Sequence, residues 1–529
     1  MKRILTLTIA LIAFLSSHAE LNRSVVNLIS YDGAGKILKS ASAVVCGEGG
    51  EILAAYSCLE GACSAEVIDC KGKSYKVTEI TGASRDFDLV RFRVDKRKKL
   101  DVAPVSAPSE SGVFVVRAYS NDKNYAGEAV TFVSREKYEP YEYYTLSVPN
   151  DAKYFGCPVF DAEGRLVAIV QQNLTKNAST ACAIDARFGT DLQIKSTSAM
   201  SDDLARIGLP KALPEGEEEA YSYLYLLSMR ADSIGFVTAA NAFQERYPKN
   251  VNALVLLGTY YANRKDYSSC EAMFKKALKS GVDADNVHAN YSDAIYNKVL
   301  KNPQPAYADW TLEKALSEAE KAYELRPDTI YFLRQAHCLY GLKRYAEARD
   351  KYVAVARNTP VGARDVWYFA ARSEEMAGGA PEKVIALIDS ALTCVQKPYD
   401  MTAASFFVAR AQQYEKADMA RKAVMDYNEY EKIVGPRNLT ANFYYLREQQ
   451  ERKCRMFQQA IDDMDTAMAL SQYQEDKDLY MTEQAAIYLQ VGSYDEAISR
   501  CEQVLKTSPD FEDAKKILGM AKDYKGRSK

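Results

Sequence analysis

From about Tyr221 onward the chain repeats itself, and this constrains the fold more than any other feature. One unit runs Leu254, Leu257-Gly258, Tyr261, Cys270, Phe274 and Ala277; another runs Phe332, Ala336, Ala348, Tyr352 and Pro360. A third runs Phe407, Ala411, Tyr414, Ala423, Tyr427 and Pro436, and a last runs Met481, Ala485, Tyr488, Ala497, Val504 and Pro509. Starts at 332, 368, 407, 444 and 481 are spaced 36, 39, 37 and 37 residues apart. A repeat of this length is one helical hairpin that cannot bury its apolar face alone, so neighbours must stack into a superhelix. A degenerate unit lies between Asn286 and Pro327, with an insertion around Asn302-Pro-Gln-Pro305 and with Ala315 and Ala322 in the small positions.

The offsets match the W-x2-L-G-x2-Y…A-x3-F…P pattern of tetratricopeptide repeats, in which small residues let paired helices approach closely. An all-α array of seven or eight helical pairs is expected over 221–525. Upstream the period changes. From about Asn22 to Lys195 short alternating or apolar runs recur, such as Ser42–Cys46, Ala65–Asp69, Leu89–Val94, Gly112–Arg117 and Arg165–Val170. Turn signals separate them at Asp32-Gly33, Gly49-Gly50, Lys71-Gly72 and Glu163-Gly164. Such spacing implies an antiparallel sandwich or barrel over 20–195. Residues 196–220 are polar, with Pro210, Pro214 and Glu217-Glu218-Glu219, and read as a connection between domains.

Met1-Lys2-Arg3, the apolar run Ile4–Leu15 and Ser17-His18-Ala19 form a signal-peptide pattern, with cleavage expected after Ala19. The 68 Lys and Arg, less Lys2 and Arg3, leave 66 basic against 71 acidic side chains in the mature chain. No basic excess exists to displace phosphate counterions, so a nucleic-acid partner is not expected. No later apolar run approaches the roughly 18 residues of a spanning helix, so no transmembrane segment is expected after cleavage. The expected location is the periplasm, cell envelope or exterior of a bacterium.

Three ordered segments of the β half resemble trypsin-like serine proteases, the bacterial HtrA type in particular. Ser42–Cys46 with Gly49–Ala62 is similar to the stretch around the catalytic histidine, and Asp86-Phe-Asp-Leu-Val-Arg-Phe92 to the D-L-A segment. Phe155-Gly-Cys-Pro-Val-Phe-Asp161 followed by Gly164–Val170 is similar to the nucleophile segment G-x-S-G-G-P. The resemblance implies an all-β double barrel ahead of the tetratricopeptide superhelix. It also places Ser57 at the histidine, Asp88 at the aspartate, Phe155 at the serine and Lys153 at the glycine that helps form the oxyanion hole. Only Asp88 matches the triad. The three histidines are His18, His288 and His337, so the mature β half has none, and no register shift restores a Ser-His or Cys-His pair. No metal or cofactor motif is present.

Six cysteines fall in the β half: Cys46, Cys58, Cys63, Cys70, Cys157 and Cys182. In an exported domain an even count reads as up to three disulfides. The resemblance suggests Cys46–Cys58 and Cys157–Cys182, leaving Cys63–Cys70 to staple a hairpin. In the helical half, candidate groove-facing positions are Thr259, Asn263, His337, Tyr340, Gln412, Glu415, Tyr445, Gln449 and Arg452. The expected function is an exported, non-enzymatic scaffold that binds proteins or peptides through the repeat groove, with the protease-like domain as an accessory recognition module. Alternatives are a reader of glycan or cell-wall ligands, and a protease-family enzyme with unconventional catalytic residues.

Overall fold

A computed structural model describes residues 23–95, 100–110, 112–122, 125, 127–175, 177–230, 233–307, 310–359 and 363–527. The expected signal peptide and the repeat proline Pro360 lie outside the described residues. The chain forms two compact units, Met1–Val282 and Asp283–Lys529.

The first unit begins with six strands: β1 (Val25–Tyr31), β2 (Ile37–Gly47), β3 (Glu51–Ala54), β4 (Ser64–Ile68), β5 (Ser74–Ser84) and β6 (Leu89–Val94). They close into a barrel in the order β1-β2-β3-β6-β5-β4. Alternation drives it: Val26 and Leu28 of β1, and Tyr75 and Val77 of β5, face a common interior with Ile52, Val67 and Phe92. Seven further strands follow: β7 (Phe114–Val116), β8 (Glu128–Val130), β9 (Phe132–Tyr138), β10 (Tyr141–Pro149), β11 (Pro158–Phe160), β12 (Leu166–Gln171) and β13 (Thr180–Asp185). They form one sheet in the order β8-β7-β11-β12-β13-β10-β9. The second half of the expected double barrel is therefore a sheet that ends on β8 and β9. Every residue of β12 is buried, as its uninterrupted apolar run requires of a strand covered on both faces.

One turn is used three times. Asp32, Asp69 and Asp161 each accept hydrogen bonds on Oδ1 from the backbone N–H groups two and four residues on, at 2.8–3.1 Å. The residue three positions after each aspartate is a glycine at positive φ: Gly35, Gly72 and Gly164. A short carboxylate that copies a backbone turn, followed by a left-handed residue, closes the hairpin. In the first of these the left-handed glycine is Gly35, not Gly33 of the Asp32-Gly33 pair.

Residues 196–220, read above as a connection, pack onto the barrel. Ala199, Leu204, Ile207, Leu209 and Ala212 join the barrel interior in one apolar cluster. Ile80 donates to Pro210 and accepts from Ala212, both at 2.8 Å. The same cluster takes in Tyr223, Leu224, Phe236, Phe243 and Leu257 from the helices Glu217–Ser228, Ser233–Arg246 and Asn252–Asn263. The limit of compactness thus falls after the helix Tyr267–Lys279, beyond the change of periodicity. These first helices find the cover for their apolar faces on the barrel.

The second unit is all helical: Ala284–Lys301, Leu312–Leu325, Thr329–Gly341, Tyr345–Asn358, Ala363–Met376, Pro381–Thr393, Met401–Lys416, Ala420–Val434, Ala441–Lys453, Phe457–Leu470, Gln474–Val491, Tyr494–Thr507 and Glu512–Arg527. Among the described residues, these thirteen helices and the four long helices of the first unit make seventeen long helices after the β strands. Consecutive helices of this unit pack on one another, and the small positions named from the repeat (Ala336, Ala348, Ala411, Ala423, Ala485, Ala497) are all fully buried. Left-handed residues recur between paired helices at Lys343, Gly378, Asp418, Arg455 and Gly492, the last three 37 residues apart. Among the described residues no helix is long and apolar enough to cross a membrane.

Candidate functional site: the Ser57–Asp88 pair

Ser57 sits in the 3-10 turn Tyr56–Cys58 that follows β3, and Asp88 stands just before β6 with φ +39°. The two meet. Ser57 donates its backbone N–H to Asp88 Oδ1 at 2.6 Å and its hydroxyl to Oδ2 at 3.2 Å, while Tyr56 N–H donates to the Asp88 carbonyl at 3.1 Å. Burial raises the Asp88 carboxyl above the usual range, opposed by the two bonds from Ser57 and by the charge of Lys39. Lys39, which the sequence reading missed, donates its Nζ to the Ser57 carbonyl at 2.8 Å.

The third segment arrives through Gly156. Its φ is +79°, and a Cβ there would stand 3.3 Å from the Ser42 carbonyl oxygen and 3.4 Å from the Ala55 Cβ. This close approach sets Phe155 next to the stretch that carries Ser57. Phe155 is half-buried and bears no hydroxyl. Two backbone N–H groups of this turn are engaged within it: Lys153 N–H, at the position the resemblance gives to the oxyanion hole, donates to Asp151 Oδ1 at 3.1 Å, and Phe155 N–H donates to the Ala152 carbonyl at 3.2 Å. The Lys153 ammonium lies 3.5 Å from Glu128 Oε1 and 4.5 Å from the centre of the Tyr154 ring. The geometry therefore brings Ser57 onto the Asp88 carboxylate and packs the Gly156 turn, which carries Phe155, against Ser42 and Ala55. An aromatic group adjoins Asp88, with half-buried Phe87 4.8 Å from both exposed Tyr138 and half-buried Phe188 and 6.4 Å from Tyr143.

All six cysteines of the β half are free thiols, so the pairings expected above do not form. Cys46 lies at the far end of β2 from Lys39, whereas Cys58 sits beside Ser57 and Lys39. Cys63 and Cys70 flank opposite ends of β4. Cys157, which precedes β11, is separated from Cys182 on β13 by the whole of β12, about two strand spacings or ~10 Å, against the ~7 Å Cα limit of a disulfide. Burial pushes the Cys157 and Cys58 thiols up to about 11 and the Cys46 thiol to about 12, so none is a ready thiolate.

Of the groove candidates, Thr259, Asn263 and Gln412 are exposed. The others are half-buried, and several are engaged internally. His337 Nδ1 lies 2.7 Å from the Tyr352 hydroxyl, Glu415 accepts from Tyr427 at 2.6 Å, and Arg452 donates to Glu483 at 2.7 Å. Tyr340 packs edge-on against Tyr345, and Tyr445 packs against Tyr480 with the rings tilted at 46°; Gln449 is half-buried. No group of His, Cys, Asp and Glu suited to a metal ion occurs among the described residues.

Residues 41–169 match the family model described as a trypsin-like peptidase domain. The N-terminal unit therefore carries a trypsin-like β domain, followed in the chain by the all-helical region. Among solved structures, an HtrA-type protease (an AlgW serine-to-alanine variant with tripeptide) is similar at 14% identity and a TM-score of 0.28. The alignment covers 34% of this chain and 61% of that one, so the chain spans about three-fifths of that protein's length. No curated protein matches.

Proposed function

We propose that this chain is a non-enzymatic interaction protein of the bacterial envelope. On this reading its trypsin-like domain has lost its chemistry and serves as an accessory recognition module, while the helical region is a tetratricopeptide array that binds protein or peptide partners. The observation that carries it is the Ser57–Asp88 pair. Asp88 orients a hydroxyl in place of an imidazole, and a serine hydroxyl cannot serve as the base that a trypsin-like centre requires. Phe155 supplies no nucleophile, and the N–H groups of residues 153 and 155 already have acceptors. Recurrent buried alanines and the 37-residue spacing support the tetratricopeptide reading of the helices.

The test is cross-linked capture from native envelope extract by the full mature chain and by a T259A/N263A/Q412A variant. These three side chains are exposed, so their removal leaves the fold intact. The proposal expects defined polypeptides on the native chain and their loss from the variant. Equal capture by both, or binding confined to wall and glycan fractions after the extract is proteolysed, overturns it.

A further inference from the structure

The helix Ala441–Lys453 buries Arg447, Glu448, Gln450 and Glu451. Arg447 is fully answered: Nε and Nη2 donate to Asp463 at 2.8 and 2.7 Å, and Nη1 donates to Asn428 at 2.9 Å and Glu431 at 2.5 Å. The two glutamates are not. Glu448 is 0% exposed and neither of its carboxyl oxygens has a hydrogen-bond partner; Glu451 is 2% exposed and its Oε2 has none. Arg452 Nε is 3.6 Å from Glu448 Oε1, beyond hydrogen-bond reach, and its Nη1 donates to Glu483 instead. Arg447 Nε is 3.7 Å from Glu451 Oε1. Buried Gln450 and Gln484 add two further amide oxygens without a donor.

The charges around this pair do not balance. Glu431 faces it from the helix Ala420–Val434, Asp463 from Phe457–Leu470 and Glu483 from Gln474–Val491, against the guanidinium groups of Arg447 and Arg452. Glu415 of the helix Met401–Lys416 is engaged with Tyr427 and lies near Lys453. Asp463, both of whose carboxyl oxygens accept from Arg447, adds its negative charge to the surroundings of Glu451.

We propose that protons hold this helix in the array: Glu448 and Glu451 are carboxylic acids in the folded chain, and ionising them loosens Ala441–Lys453 from its neighbouring helices. An ionised carboxylate with no partner is far costlier to bury than a neutral acid. Burial is the main cause that pushes Glu448 up to about 7, with Arg452 opposing and Glu483 and Asp463 adding to it. Glu451 and Asp463 are likewise raised, chiefly by burial. The folded values lie above the unfolded ones, so the stabilisation is complete at acid pH and is lost as pH rises through the folded value. Tyr445, Gln449 and Arg452 ride on this helix. If the function proposed above holds, partner binding there weakens with rising pH, but the test below does not depend on that function.

The test is hydrogen exchange on the full chain, read on peptides covering 441–453 and corrected for intrinsic exchange. Protection should fall by about tenfold per pH unit between about pH 5 and 7 for each proton released. The slope should drop by one proton in Glu448→Gln and flatten further in the Glu448→Gln/Glu451→Gln double variant. Infrared spectroscopy of the native chain near pH 6 should show a protonated-carboxyl C=O band that Glu448→Gln diminishes. The same pH slope in the native chain and the double variant, or an infrared band unchanged by Glu448→Gln, overturns the proposal.

Discussion

At the residue scale, the Ser57–Asp88 neighbourhood of the trypsin-like domain is a set of local satisfactions, and the proposed loss of chemistry rests on them. Asp88 is saturated by Ser57, and the N–H groups of Lys153 and Phe155 close their own turn. Restoring side chains is therefore not enough. A Ser57→His/Phe155→Ser variant should remain without turnover on fluorogenic casein, because the N–H groups of residues 153 and 155 stay engaged and oxyanion stabilisation alone is worth about 10²–10³ in rate. Hydrolysis by that variant would show that the turn at 151–155 opens on substrate. Asp88→Ala should cost about 1–3 kcal/mol in denaturant unfolding, since it strands the half-buried N–H and hydroxyl of Ser57. The absence of histidine between residues 20 and 195 and the order of the segments that bring Ser57 to Asp88 were legible in the sequence, because they depend on residue type and order. Lys39 was not. An exposed lysine on a strand carries no local signature, and the fate of a backbone N–H is set by turn geometry rather than by side-chain identity.

At the element scale, the helical hairpins are fixed by small residues and by buried ion pairs. At Gly258 a Cβ would stand 2.8 Å from the Phe274 ring, so Gly258→Val should destabilise the chain by about 1–3 kcal/mol through overpacking. Arg410 binds Asp426 with both arms of its guanidinium, and Arg447 binds Asp463 in the same way. The two pairs are 37 residues apart, and Asp389, which Arg410 also contacts, precedes Asp426 by the same interval. Arg447→Ala leaves Asp463 buried without its partner and should cost about 3–5 kcal/mol, measured by denaturant unfolding. Arg165→Ala, which removes a solvent-facing partner of buried Asp161, should move the unfolding midpoint far less than Arg447→Ala. The apolar repeat was legible because alanine and aromatic spacing mark it directly. The charged repeat shares its period but hides among ordinary surface charges until burial singles it out.

At the scale of the whole molecule, the change from strands to helices is not where the compact unit ends. Residues 196–212 and the first helices complete the barrel's apolar cluster, so a chain cut at residue 200 should lose cooperative thermal unfolding, whereas one ending at 282 should retain it. Sequence polarity concealed this, because the apolar positions Leu204, Ile207 and Leu209 are scattered among turns without a helical or strand period. The central proposal, a trypsin-like domain without working chemistry, is tested most directly by treating the full chain with a fluorophosphonate serine probe while following casein hydrolysis. The account requires neither covalent labelling nor turnover. Labelling and hydrolysis that both disappear in Ser57→Ala would contradict it.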